Sequence, residues 1–135
     1  MIPTRRPQQG EGRAEAVSCG RRLAAWAIRR FGNNPFRLAA DMGWRVVCEA
    51  EDAPHFPTAR LAVWEGDTRT IRLFMQPVRR QFLQEDFGVR FTCCHEIFHG
   101  LYACAGGLDT PPAPALNLRE QEQAAEAFAR ALMFA

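Results

Sequence analysis

The chain has 135 residues, 47% hydrophobic and 24% charged, which suits one globular domain with its own core and excludes a disordered chain. A formal net charge of +2 is too mild to indicate a nucleic-acid partner, and no stretch approaches the ~18 apolar residues of a membrane span. The N-terminus has no apolar signal-peptide core, and the five cysteines (Cys19, Cys48, Cys93, Cys94, Cys104) fit no zinc-ribbon or CxxC spacing, so a cytoplasmic protein with reduced thiols in its core is expected.

In chain order, residues 1–13 carry Pro, Gln, Gly and Arg without periodicity and read as a disordered lead-in. From Ala14 the pattern turns helical, with Val17, Gly20, Ala24, Ala27, Ile28 and Phe31 on one face and a stop at Gly32-Asn33. Asn34-Pro35 starts a short helix that Gly43 ends. Trp44–Glu49 has the aromatic and β-branched content of a strand. An acidic, Pro-rich stretch through residue 58 reads as a loop. Ala59–Trp64 and Thr68–Phe74 read as strands joined by a hairpin turn at Glu65-Gly66-Asp67. Residues 77–87 read as a helical connection. Phe91, Cys94, Phe98, Leu101 and Tyr102 form a helical stripe that ends at Gly106-Gly107, and residues 108–117 form a stiff Pro-rich loop. Leu118–Phe134 is Ala-rich and helical. The order α, α, β, β, β, α, α predicts an α+β domain over residues 14–135: a small, mostly antiparallel three-stranded sheet with helices packed on it.

The chemistry lies in His95-Glu96-Ile97-Phe98-His99, an HExxH motif inside the helical stripe. Residues i and i+4 are neighbours on a helix, so both imidazoles can meet one ion, and neutral imidazole is a good zinc ligand. Glu96, about 100° round from His95, is placed to take a proton from water at the metal rather than to share its inner ligand set. A catalytic zinc takes a third protein ligand, and the last helix offers Glu120, Glu122 and Glu126. On a helical wheel Glu122 borders the apolar side with Ala125, Ala129, Leu132 and Met133. Glu120 points to the opposite side and Glu126 lies toward the polar edge. A carboxylate beside an apolar face is costly unless paired, and a zinc ion would pair it. His55, in the acidic loop, is the remaining histidine and could polarise a carbonyl. Tyr102, at i+7 from His95, could touch substrate or support a ligand, although helix packing is the plainer role. Asp109 or the Pro-rich loop could orient a histidine. Thr68–Phe74, if an edge strand near the metal, could hold an extended peptide.

Residues 90–103 (RFTCCHEIFHGLYA) and 122–133 (EQAAEAFARALM) resemble the ImmA/IrrE family of metallo-endopeptidases. They are similar to its RFTxxHExxH core and its ExxANxFAxxLLMP helix, with a weaker likeness at NPFRLAADMGWRVV. The resemblance implies a minimal zincin-like fold, zinc ligands His95, His99 and Glu122, and catalytic Glu96. It also implies that the substrate is a helix-turn-helix transcriptional repressor in a bacterial or phage regulatory switch. Glu126 replaces the family's Asn or Asp and stands as an alternative ligand. Phe134 replaces its Pro, and Cys93-Cys94 replaces an aliphatic or small pair. The short C-terminal end leads to the expectation of a minimal domain. It also keeps open an alternative in which a weak or inactive zincin scaffold regulates a partner by binding it.

Overall fold

The computed structural model describes residues 9–50, 60–104 and 109–135. Helix α1 (Gln9–Phe31) is followed by α2 (Pro35–Asp41) and β1 (Arg45–Glu49). Then come β2 (Ala62–Glu65), β3 (Thr70–Phe74), α3 (Met75–Gln81), α4 (Glu85–Ala103) and α5 (Leu118–Met133). The architecture is α+β, with five helices and one small mixed sheet. No described helix is long and apolar enough to cross a membrane.

Local chemistry sets the boundaries. Gly32 (φ 73°) and Gly43 (φ 76°) take the left-handed turns after α1 and α2, where a Cβ would be strained. Asn34 caps α2 by accepting from the amides of Phe36 (3.0 Å) and Arg37 (3.3 Å), and Pro35 occupies the first turn. Asn117 and Glu120 form a reciprocal capping box on α5. The ambiguous residues 77–87 divide into α3, a short break at 82–84 and the first turn of α4. Helix α1 begins at Gln9, so the expected lead-in is already helical over residues 9–13, and the rest of it lies outside the described residues.

The sheet corrects one expectation. Its order is β1-β3-β2: β3 pairs antiparallel with β2 (Ala62 opposite Leu73) but parallel with β1 (Arg45 opposite Thr70). The hairpin sets the first pairing through a short turn. The second brings together strands separated by residues 50–69, and alternation within each strand carries no sign of its direction. Thr68–Phe74 therefore supplies the central strand, not an edge.

The core is built from α1, α4, α5 and the inner face of the sheet. Ile97, Phe98, Leu101, Phe128 and Leu132 are fully buried, together with Leu38 and Ile71. Two glycines mark close approaches between elements. A Cβ on Gly20 of α1 would sit 2.2 Å from the Ala124 carbonyl oxygen of α5. A Cβ on Gly100 of α4 would meet the Trp44 ring at 2.8 Å and the Trp64 ring at 3.3 Å. The helix carrying HExxH is thus seated directly on two indoles at the edge of the sheet.

Candidate metal centre

The interior side of α4 fixes where its polar side points. Cys93, Cys94, Ile97, Phe98 and Leu101 are buried, which rotates His95, Glu96 and His99 toward the opposite, partly covered side. The two imidazole rings lie 5.2 Å apart, as the i, i+4 spacing requires. His95, Glu96 and His99 each offer one ligand atom within 4.8 Å of the others, a group that could hold a metal ion.

Helix α5 brings a second carboxylate to the same place. Glu122 Oε2 is 3.1 Å from His95 Nε2, and Glu122 Oε1 is 2.9 Å from His99 Nε2. The two carboxylates differ in position. Glu122 meets the Nε2 atom of both rings, whereas Glu96 Oε1 lies 3.6 Å from Nδ1 of His95. Both Nε2···O distances fall near the roughly 3.3 Å that separates two donor atoms bound tetrahedrally at about 2.0–2.1 Å to one ion. The Glu122 side chain is 59% exposed, so its place follows from the geometry between α4 and α5 and not from the burial cost that first singled it out.

His95, His99 and Glu122 satisfy one another directly. Burial lowers the His95 pKa, but hydrogen bonds and charge from Glu122 and Glu96 outweigh it and raise the value to about 9. Hydrogen bonds from His95 and then His99 hold the Glu122 carboxyl far below the usual carboxylate range, against some desolvation. The carboxylates thus favour the protonated form of His95, and a metal ion binding at this ring would have to displace that proton.

An open groove of about 740 Å³ runs across this cluster. One wall is the start of α5, with Leu118, Gln121 and Glu122. The facing wall is Arg60 to Trp64, and Phe91 and Thr92 lie one turn before His95. The strand beside the groove is thus β2, one of the two edge strands, in place of Thr68–Phe74. Sequence reasoning missed this wall. The single available signal was position: Phe91 and Leu118 each stand four residues before a donor.

Other expectations resolve by contact. Glu126 pairs with Arg130 (2.9 Å) on the exposed side of α5, away from the imidazoles, and Glu120 serves the helix cap. Asp109 pairs with Arg30 of α1, and among the described residues it orients neither His95 nor His99. Cys93 and Cys94 are fully buried, and desolvation pushes the Cys94 thiol up to about 12 and Cys93 higher still, so both are inert core groups. His55 lies outside the described residues. Tyr102 stacks on Phe98 with ring centroids 5.7 Å apart. Its hydroxyl donates to the Pro114 carbonyl (2.9 Å) and accepts from the Leu116 amide (2.8 Å). No family model, curated protein or solved structure matches the chain.

Proposed function

We propose that this chain is a cytoplasmic zinc-dependent endopeptidase. The observation that carries the reading is the convergence of both imidazole Nε2 atoms on the two oxygens of Glu122, beside the edge strand β2. His95, His99 and Glu122 would hold the metal. Zinc, when bound, polarises the scissile carbonyl and lowers the pKa of water.

The chain's own residues supply the rest. Glu96, 12% exposed and next to His95, takes the proton from the attacking water and delivers it to the leaving amine. The outer edge of β2, unpaired among the described residues, holds the substrate backbone in an extended form along the groove. The groove is open at the surface, which suits a polypeptide segment better than a small enclosed ligand. The resemblance of residues 90–103 and 122–133 to ImmA/IrrE extends the reading to regulatory cleavage of a helix-turn-helix repressor.

The test pairs metal content with cleavage. The purified protein should carry about one zinc per chain. Glu96→Gln should keep that zinc and lose hydrolysis of a helix-turn-helix repressor and of generic peptide substrates. Cleavage that persists in Glu96→Gln overturns the mechanism. Retained control of the repressor without cleavage favours a binding module on the same scaffold.

A further inference from the structure

The hydroxyl of Tyr102 is spent on a loop, and the loop leads to Glu122. Tyr102 stands three residues after His99 and seven after His95, on the same stripe of α4. Its one proton goes to the Pro114 carbonyl, and its oxygen accepts from the Leu116 amide, so it keeps no proton to offer a substrate carbonyl. Leu116 is held at every polar and apolar point it has. Its amide meets Tyr102, its carbonyl accepts from Gln121 Nε2 (2.9 Å), and its side chain is buried. The next residue is Asn117, the cap of α5, and Gln121 is the immediate neighbour of Glu122.

From these contacts we infer that Tyr102 is a positioning residue for the third donor: through Pro114 and Leu116 it fixes the rotation and height of the first turns of α5, and so sets Glu122 opposite His95 and His99. One stripe of α4 would then carry both imidazoles and the gauge that places the carboxylate facing them. The packing of Phe98 on Phe128 (6.0 Å) joins α4 to α5 further along and does not depend on the hydroxyl. Loss of the hydroxyl should loosen the Glu122 end of α5 and leave the helix pair assembled. The inference rests on the metal-site reading only for its consequence; the mechanical link between Tyr102 and Glu122 stands apart from it.

Tyr102→Phe is the variant to make, because it keeps the ring on Phe98 and removes both hydrogen bonds. Zinc affinity, measured by competition with a chromophoric chelator, should fall by roughly 10–100-fold, the usual cost of losing a group that orients a ligand. Made on top of Glu122→Ala, the same change should cost almost nothing further, since the donor it positions is gone. A full additional loss in the Glu122→Ala background, or unchanged affinity in the single variant, overturns the inference. Amide hydrogen exchange on the metal-free protein decides the case if the wild type binds no zinc. Tyr102→Phe should speed exchange at Leu116 and through the first two turns of α5, but not at Phe128. Unchanged exchange there overturns the link, whereas faster exchange with no zinc bound by the wild type supports it and overturns only the metal-site reading.

Discussion

Glu122 follows His99 by 23 residues (122 − 99), yet its Oε1 lies 2.9 Å from the His99 Nε2. Two helices and the Pro-rich loop between them are needed to close that distance. Removing either partner should therefore remove the metal and not the fold. Glu122→Ala and His99→Ala should each lower zinc affinity by at least about 100-fold, more than the loss of a merely orienting group. Both should keep wild-type far-ultraviolet circular dichroism, because neither side chain is part of the buried core. Full zinc content in Glu122→Ala would leave Glu96 as the ion's carboxylate and remove its role as base.

The same contacts set a pH dependence whose sign differs between the metal-free and loaded forms. His95 has its pKa raised in the folded chain from 6.5 to about 9. Its contribution to stability is fully present below about pH 6.5 and is lost as pH rises through about 9. Glu122 is depressed from 4.5, so its contribution is present above about pH 4.5 and is lost as pH falls below that. The metal-free protein should thus draw most from this cluster between about pH 4.5 and 6.5 and lose stability toward pH 9. A bound ion keeps His95 unprotonated, so the loaded form should gain stability up to about pH 6.5 and then stay level. Thermal unfolding of both forms should show a gap that widens with pH. Metal affinity should rise about tenfold per pH unit between pH 7 and 9, with one proton released to buffer.

Gly20 should tolerate no side chain. Alanine is the better helix former by about 1 kcal/mol, but its Cβ would lie 2.2 Å from the Ala124 carbonyl oxygen, a backbone atom with no rotamer to change. Gly20→Ala should lower stability by a net ~2 kcal/mol, seen as a lower urea midpoint at unchanged slope. The separation of α1 from α5 would grow, and the exposed end of α5 with it.

The edge strand should show itself in KM. The Leu61 carbonyl accepts from the Phe74 amide (2.8 Å), so alternation in the antiparallel ladder turns the polar groups of Ala62 and Trp64 outward. Ala62→Pro removes one outward amide and leaves the ladder to β3 intact. Loss of one main-chain hydrogen bond of ~1 kcal/mol predicts a KM about fivefold higher for a peptide substrate, with zinc content unchanged. An unchanged KM would place the substrate elsewhere in the groove.

The parts legible in the sequence are those that short-range chemistry decides. HExxH announces itself because i, i+4 geometry is local, and Glu122 stands out from Glu126 because a helical wheel separates their faces. Asn34-Pro35 and Gly32 likewise carry their own boundary signals. The direction of β1 was not legible, since parallel pairing to β3 is a long-range choice that alternation does not encode. For the same reason the sequence does not show which member of the hairpin lies at the edge. The i+7 spacing places Tyr102 on the side of His95, where it could touch substrate or support a ligand, but periodicity is blind to where its hydroxyl ends. The start of α1 at Gln9 is hidden by Gly10 and Gly12, weak helix formers within its first turns.

Gly100 adds an optical property to the molecule. With only a hydrogen atom on that residue, the Trp44 and Trp64 indoles close on each other to 4.7 Å at a 54° tilt, directly under the residue that follows His99. Chromophores that near share their electronic transitions, so the pair should give a signed circular-dichroism couplet that a lone indole lacks. Trp64 also lines the groove, whereas Trp26 is buried on α1. The chain therefore carries an intrinsic chromophore pair between α4 and the groove, and its spectrum should read out the seating of α4, and the arrival of any segment bound in the groove, without a label.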